Sequence, residues 1–194
     1  METCTSGKQD GTFSFQPARY VPFELISEKF SGLLNYSKAA LLLVGSLYFT
    51  SYHTRMYSFS EILQIVNDAV ATSPFNGSPK GLYEPIRYVL SLGGKRIRPV
   101  LMLMGYNLYQ DNVKSILGPA IGIETYHNYT LLHDDLMDRA DVRRGKPCVH
   151  KVWNENTAIL SGDAMLVLAY QQMALCDPCY LSEVMGVFTK TALE

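Results

Sequence analysis

Three carboxylates crowd the segment His133-Asp134-Asp135-Leu136-Met137-Asp138. Asp134 and Asp138 are spaced i, i+4, which on a helix stacks them on one face. Like charges at that spacing repel, and carboxylates near a helix C-terminus oppose the helix dipole. A divalent cation relieves both penalties. Magnesium suits the site because it takes oxygen ligands, often one or two carboxylates plus the phosphates of a substrate. Asp135 lies roughly 100° further round the helix and is expected to act in an auxiliary role.

Basic residues follow. Arg139 and the run Arg143-Arg144-Gly145-Lys146-Pro147 supply guanidinium forks that match phosphate oxygens. The alternative is that these arginines pair with Asp138 and Asp141 at the surface. A second basic segment, Gly93-Gly94-Lys95-Arg96-Ile97-Arg98-Pro99, joins two helical stretches, and Lys95 and Arg98 could face one pocket. It lacks the spacing of a Walker A loop, which speaks against a nucleotide. His127 stands seven residues before Asp134, about two helical turns, so it can share that face. His133, His150 and Cys148 lack a zinc-binding spacing.

These groups need elements to hold them. Ser58-Phe59-Ser60-Glu61 reads as a capping box, after which Ile62, Val66, Ala69 and Val70 recur on one helical face up to Ser73-Pro74. A second helix is expected from about Leu82 to Leu92 with Pro85 in its first turn, stopped by Gly93-Gly94. Val100 to Leu108 reads as a buried helix. A long helix runs from Gly118-Pro119 towards Asp138, another from about Asn156 to Leu175, and a last one starts near Leu181. No strand pattern or internal repeat stands out, so the fold class is all-α, an antiparallel bundle with short loops.

The 194 residues are 47% hydrophobic and 18% charged, with a formal net charge of −1. That is globular composition without the basic excess that would point to nucleic acid. The cysteines Cys4, Cys148, Cys176 and Cys179 form no disulfide framework, so a reducing cytoplasm fits. Cys176 to Cys179 is formally C-x-x-C but lacks the context of a redox or zinc site and reads as a loop. The longest apolar run, Ala39 to Phe49, falls short of the ~20 residues of a membrane span.

Together, the basic glycine turn, Glu124-Thr125-Tyr126-His127, the aspartate segment from Leu131, the Arg143 loop and Ala158-Ile159-Leu160-Ser161-Gly162-Asp163-Ala164 resemble the trans-isoprenyl diphosphate synthases, the polyprenyl synthetase family. Five blocks in order make this specific. The resemblance covers residues 56 to 194 and leaves residues 1 to 55 as a segment outside it. It implies that Asp134 and Asp138 hold Mg2+ against an allylic diphosphate. It also implies that Lys95, Arg98 and His127 bind the diphosphate of isopentenyl diphosphate. Arg143 would contact the allylic and Arg144 the isopentenyl diphosphate. The implied reaction is prenyl transfer, with the allylic substrate ionising before the isopentenyl double bond attacks. The implied partners are these two substrates and a second copy in a homodimer. Tyr129, five residues before Asp134, is where the family sets product length, and an aromatic there implies products of farnesyl to geranylgeranyl size.

The family's second aspartate-rich motif is not found: after Asp163 the acids are Asp177, Glu183 and Glu194. The expectation is an N-terminal portion of a synthase, with Val184, Met185, Val187 and Phe188 short of packing partners. Two alternatives follow, a non-catalytic diphosphate-binding subunit (or inactive fragment) and a class I terpene cyclase. A cyclase has no need of Lys95, Arg98 and Arg144 as an isopentenyl site.

Overall fold

A computed structural model describes residues 55–73 and 75–194; the apolar run from Ala39 lies outside them. Helix α1, Phe59–Ala71, starts where the capping box demands. The Glu61 amide donates to Ser58 Oγ (3.3 Å), and the Ser58 amide donates to Glu61 Oε2 (2.8 Å). Ile62 and Val66 are fully buried beneath it.

Helix α2, Lys80–Ser91, begins two residues earlier than the sequence suggests, so Pro85 falls in the second turn. There it removes the amide that would reach the Gly81 carbonyl. Gly81 is exposed, so solvent can satisfy that group, while the Pro85 ring is buried with Ile86, Val89 and Leu90. Helix α3, Ile97–Asn107, buries only one side: Val100 and Leu103 are inaccessible, whereas Leu101 is 59% exposed. The continuous apolar run is therefore a one-sided helix rather than one surrounded by core.

After a 3-10 turn, Val113–Ile116, comes α4, Leu117–Met137, a helix of 21 residues and about 31 Å. Strands β1, Val142–Arg143, and β2, Lys146–Pro147, form a small antiparallel ladder pairing Val142 with Pro147 and Arg143 with Lys146. Arg144 and Gly145 turn it with φ of 51° and 75°, the positive pair a tight hairpin requires. Two-residue strands carry no periodicity, which is why the sequence does not announce them. Helix α5 is Val149–Val152, and α6, Glu155–Met173, opens with Asn154 accepting from the Thr157 amide at 2.8 Å. A 3-10 turn, Pro178–Tyr180, leads into α7, Leu181–Ala192. The C-x-x-C segment is this turn, as its loop reading requires.

Helices α4 and α6 form the spine. A Cβ on Gly122 would come 3.0 Å from the Ala169 carbonyl and 3.1 Å from Met173, and one on Gly162 would strike the His133 ring. Early α4 thus meets late α6 and late α4 meets early α6, which makes the pair antiparallel. Two apolar clusters flank it. One gathers Ile86, Val89, Leu132, Val149 and Met165, the other Ile62, Val66, Val100, Leu103 and Ala120. Met56–Glu194 is one compact unit of all-α architecture. Among the described residues, no single helix is long and apolar enough to cross a membrane.

The packing of α7 corrects one expectation. Phe188 is only 8% exposed and lies edge-on to Tyr126 and Tyr170, with ring centroids 5.3 and 5.1 Å away. The Tyr126 hydroxyl donates to the Ala192 carbonyl at 3.0 Å. Of the four residues expected to lack partners, Val187 is exposed, and Val184 and Met185 are half-buried.

Candidate active site

The glycine turn between α2 and α3 is built from left-handed backbone. Gly93, Gly94 and Arg96 have φ of 76°, 137° and 49°. Glycine tolerates such values freely; Arg96 adopts one as a non-glycine residue. Gly94 must also lack a Cβ, which would lie 2.8 Å from the guanidinium carbon of Arg144. Arg144 reaches this turn from the hairpin and donates to the Gly93 carbonyl.

The result is a cleft of about 540 Å³ lined by Lys95, Arg96, Arg98, Glu124, His127 and Arg144, with Leu92 and Ile97. Of the residues expected to bind isopentenyl diphosphate, Lys95, Arg98, His127 and Arg144 all line it. Cations from two separate segments, the glycine turn and the hairpin, surround His127. Burial holds its pKa below the usual histidine value, Arg98 adds to the depression, Glu124 opposes it, and Arg144 and Arg143 push it lower still. The imidazole is therefore neutral at neutral pH and can offer one N–H to an anion. Burial and the nearby Arg96 also depress the Arg144 pKa, so an anion there would relieve mutual repulsion.

The end of α4 sorts its three aspartates. Asp134 and Asp138 are exposed, and neither carboxylate makes a hydrogen bond or ion pair with the described residues. Asp138 is the C-cap and its amide donates to the Asp134 carbonyl at 2.8 Å, so the stacked spacing persists to the helix end. Asp135 is buried. Arg143 Nε lies 2.8 and 2.7 Å from its two carboxylate oxygens, and an Arg143 terminal nitrogen lies 2.7 Å from Oδ1. The pair raises the Arg143 pKa. Cys148 lies against the same carboxylate, and burial first, with Asp135 second, pushes its thiol up to about 11.

Arg143, expected at the allylic diphosphate, pairs with Asp135 and, like Asp134 and Asp138, lies outside the cleft lining. The surface pairing considered for the loop is also different, since Asp141 pairs with Lys151 at 2.9 Å. Sequence reasoning missed Arg96 and Glu124. Their signal was present, an arginine inside the basic turn and a glutamate three residues before His127, but only a buried pairing distinguishes them from surface charge. His133, without zinc spacing, lies 3.3 Å from the Ile159 carbonyl and 3.8 Å from Asp163. Tyr129 packs against Tyr126 and His133, with centroids 5.5 and 4.9 Å away.

Among the described residues, no group of three or more histidine, cysteine or acidic side chains could enclose a metal. Two exposed, unpaired carboxylates on one helix face nevertheless fit magnesium, which needs few protein ligands when phosphates supply the rest.

The antiparallel helical architecture is that of prenyl diphosphate synthases among solved structures. A geranylgeranyl pyrophosphate synthase crystal structure superposes with a TM-score of 0.65 at 43% identity, covering 71% of this chain and 42% of that one. The geranylgeranyl pyrophosphate synthetase of the archaeon Geoglobus acetivorans gives 0.66 at 32% identity, over 70% and 45%. The geranylgeranyl diphosphate synthase of Methanosarcina mazei is 40% identical over 118 residues, 60% of this chain and 36% of its own. The short chain isoprenyl diphosphate synthase of Methanocaldococcus jannaschii is 39% identical over 134 residues, 69% and 40%. The polyprenyl synthetase family model matches residues 79–194. The chain belongs to the polyprenyl synthetase family, and it spans about two fifths of the length of these relatives.

Proposed function

We propose that this chain carries the diphosphate-binding cleft of a trans-prenyltransferase that joins an allylic diphosphate to isopentenyl diphosphate. The observation that carries this reading is the convergence of Lys95, Arg98, His127 and Arg144 on one cleft. It lies beside a helix whose end bears the unpaired carboxylates of Asp134 and Asp138.

Lys95, Arg98 and Arg144 hold the isopentenyl diphosphate by charge, and neutral His127 donates a hydrogen bond to it. Asp134 and Asp138 would hold Mg2+, which when bound neutralises charge growing on the departing allylic diphosphate. Arg143, braced by Asp135, adds fixed positive charge beside that leaving group. The apolar residues lining α4 and α6 exclude water from the cation left behind. Products of farnesyl to geranylgeranyl size suit Tyr129, whose ring stands one turn before His133 and could floor the chain cavity. A homodimer and a cytoplasmic setting complete the reading.

A class I terpene cyclase takes one diphosphate and leaves the separate cationic cleft without a purpose. A non-catalytic diphosphate-binding subunit is the second reading, since the cationic cleft and the two carboxylates can bind diphosphate without turnover. Incubation of the purified chain with Mg2+, isopentenyl diphosphate and geranyl diphosphate separates the two. Chain elongation upholds the prenyltransferase. Magnesium-dependent binding without elongation upholds the subunit. Absence of diphosphate binding, or binding unchanged in Asp134→Ala/Asp138→Ala, refutes the metal assignment.

A further inference from the structure

Arg96 sits in the middle of the basic turn yet faces inward. It is 5% exposed, between the exposed Lys95 and Arg98. One terminal nitrogen lies 2.5 Å from Glu124 Oε1, and the other donates to the Leu90 carbonyl at 2.7 Å. Glu124 is itself 3% exposed and accepts from Asn128 Nδ2 at 2.9 Å through the same oxygen. The Asn128 amide also donates to the Glu124 carbonyl at 2.8 Å. One side chain therefore ties the turn to the end of α2 and to the middle of α4. It does so at a residue whose φ of 49° a non-glycine adopts only when its surroundings impose it.

We infer that Arg96 and Glu124 are positioning residues for the diphosphate cleft. Their buried pair clamps the left-handed turn, so that Lys95 and Arg98 emerge on the cleft side together with His127 and Arg144. The inference rests on the reading that this cleft takes a diphosphate. It extends that reading to two residues that need not touch the ligand.

Charge alone predicts the opposite behaviour. Glu124 is the one carboxylate among the cleft-lining residues, so neutralising it should strengthen anion binding if the pair does nothing but balance charge. If the pair positions the turn, neutralising Glu124 frees Arg96 and weakens binding despite the more positive field. The test is calorimetric titration of the full chain with inorganic diphosphate, without divalent cation so that Asp134 and Asp138 do not contribute. Lys95→Ala serves as the control for the cleft. Positioning predicts at least a tenfold weaker dissociation constant in Glu124→Gln, with a native circular dichroism spectrum. Binding equal to or tighter than wild type overturns it while leaving the cleft reading intact. No binding by the wild-type chain, or none lost in Lys95→Ala, overturns the cleft reading and the inference with it. Should Glu124→Gln fold poorly, Arg96→Gly/Glu124→Gln leaves no buried charge and lets glycine adopt the turn. A tenfold loss is expected there too, and wild-type affinity in that variant overturns the clamp.

Discussion

Asp134, Asp135 and Asp138 are chemically alike, yet the structure gives them opposite energetic signs. Asp135→Asn breaks a pair in which the carboxylate side chain is 8% exposed and the guanidinium 32% exposed, held by contacts of 2.7 to 2.8 Å. Removing one member of a buried ion pair costs about 3–5 kcal/mol, and the partial exposure of Arg143 puts the cost near the lower end, about 3 kcal/mol. In a chain of this size that corresponds to a fall in melting temperature of about 6–12 °C. Asp134→Asn/Asp138→Asn should do the reverse without metal. It removes an i, i+4 repulsion of about 0.2–0.5 kcal/mol and an adverse helix-dipole interaction of about 0.3–1 kcal/mol. A rise of about 1–6 °C follows. Adding millimolar Mg2+ with diphosphate should raise the wild-type melting temperature by ligand linkage, and Mg2+ should add nothing in the double variant beyond what diphosphate gives through the cationic cleft. Differential scanning fluorimetry of the variants, with and without those ligands, reads all of this. A stable Asp135→Asn, or a destabilised Asp134→Asn/Asp138→Asn, would refute the division of labour at the end of α4.

Further outcomes follow from the same geometry. His127 has a folded pKa below its unfolded value of about 6.5, so the unfolded chain binds the extra proton. Its contribution to stability is present above pH 6.5 and is lost as pH falls through the folded pKa. His127→Gln should therefore flatten the fall in melting temperature between pH 7.5 and 5.5. Gly122→Ala puts a Cβ 3.0 Å from the Ala169 carbonyl at the α4–α6 crossing, where backbone must yield. A loss of about 1–3 kcal/mol is expected, measurable by urea unfolding. Cys148 is 2% exposed with its thiol pushed up to about 11, whereas Cys179 is exposed. Iodoacetamide at pH 8 followed by peptide mass spectrometry should label Cys179 in the native chain, and Cys148 only after denaturation.

What the sequence determines on its own is local. The capping box at Ser58, the helical spans and the stacking of Asp134 on Asp138 depend on neighbours within four residues, whose geometry the helix repeat dictates. The family blocks likewise single out Lys95, Arg98, His127 and Arg144, which the fold gathers into one cleft. Partner choice over distance belongs to the tertiary structure. Nothing local says that Arg143 turns to Asp135, eight residues back, while the adjacent Arg144, at the hairpin turn, reaches Gly93, 51 residues away. Nor does it say that Arg96 turns inward to Glu124, 28 residues away, while Lys95 and Arg98 stay exposed. A charged side chain reads the same in sequence whether it meets water, a substrate or a buried counter-charge. Desolvation at its folded position decides among them.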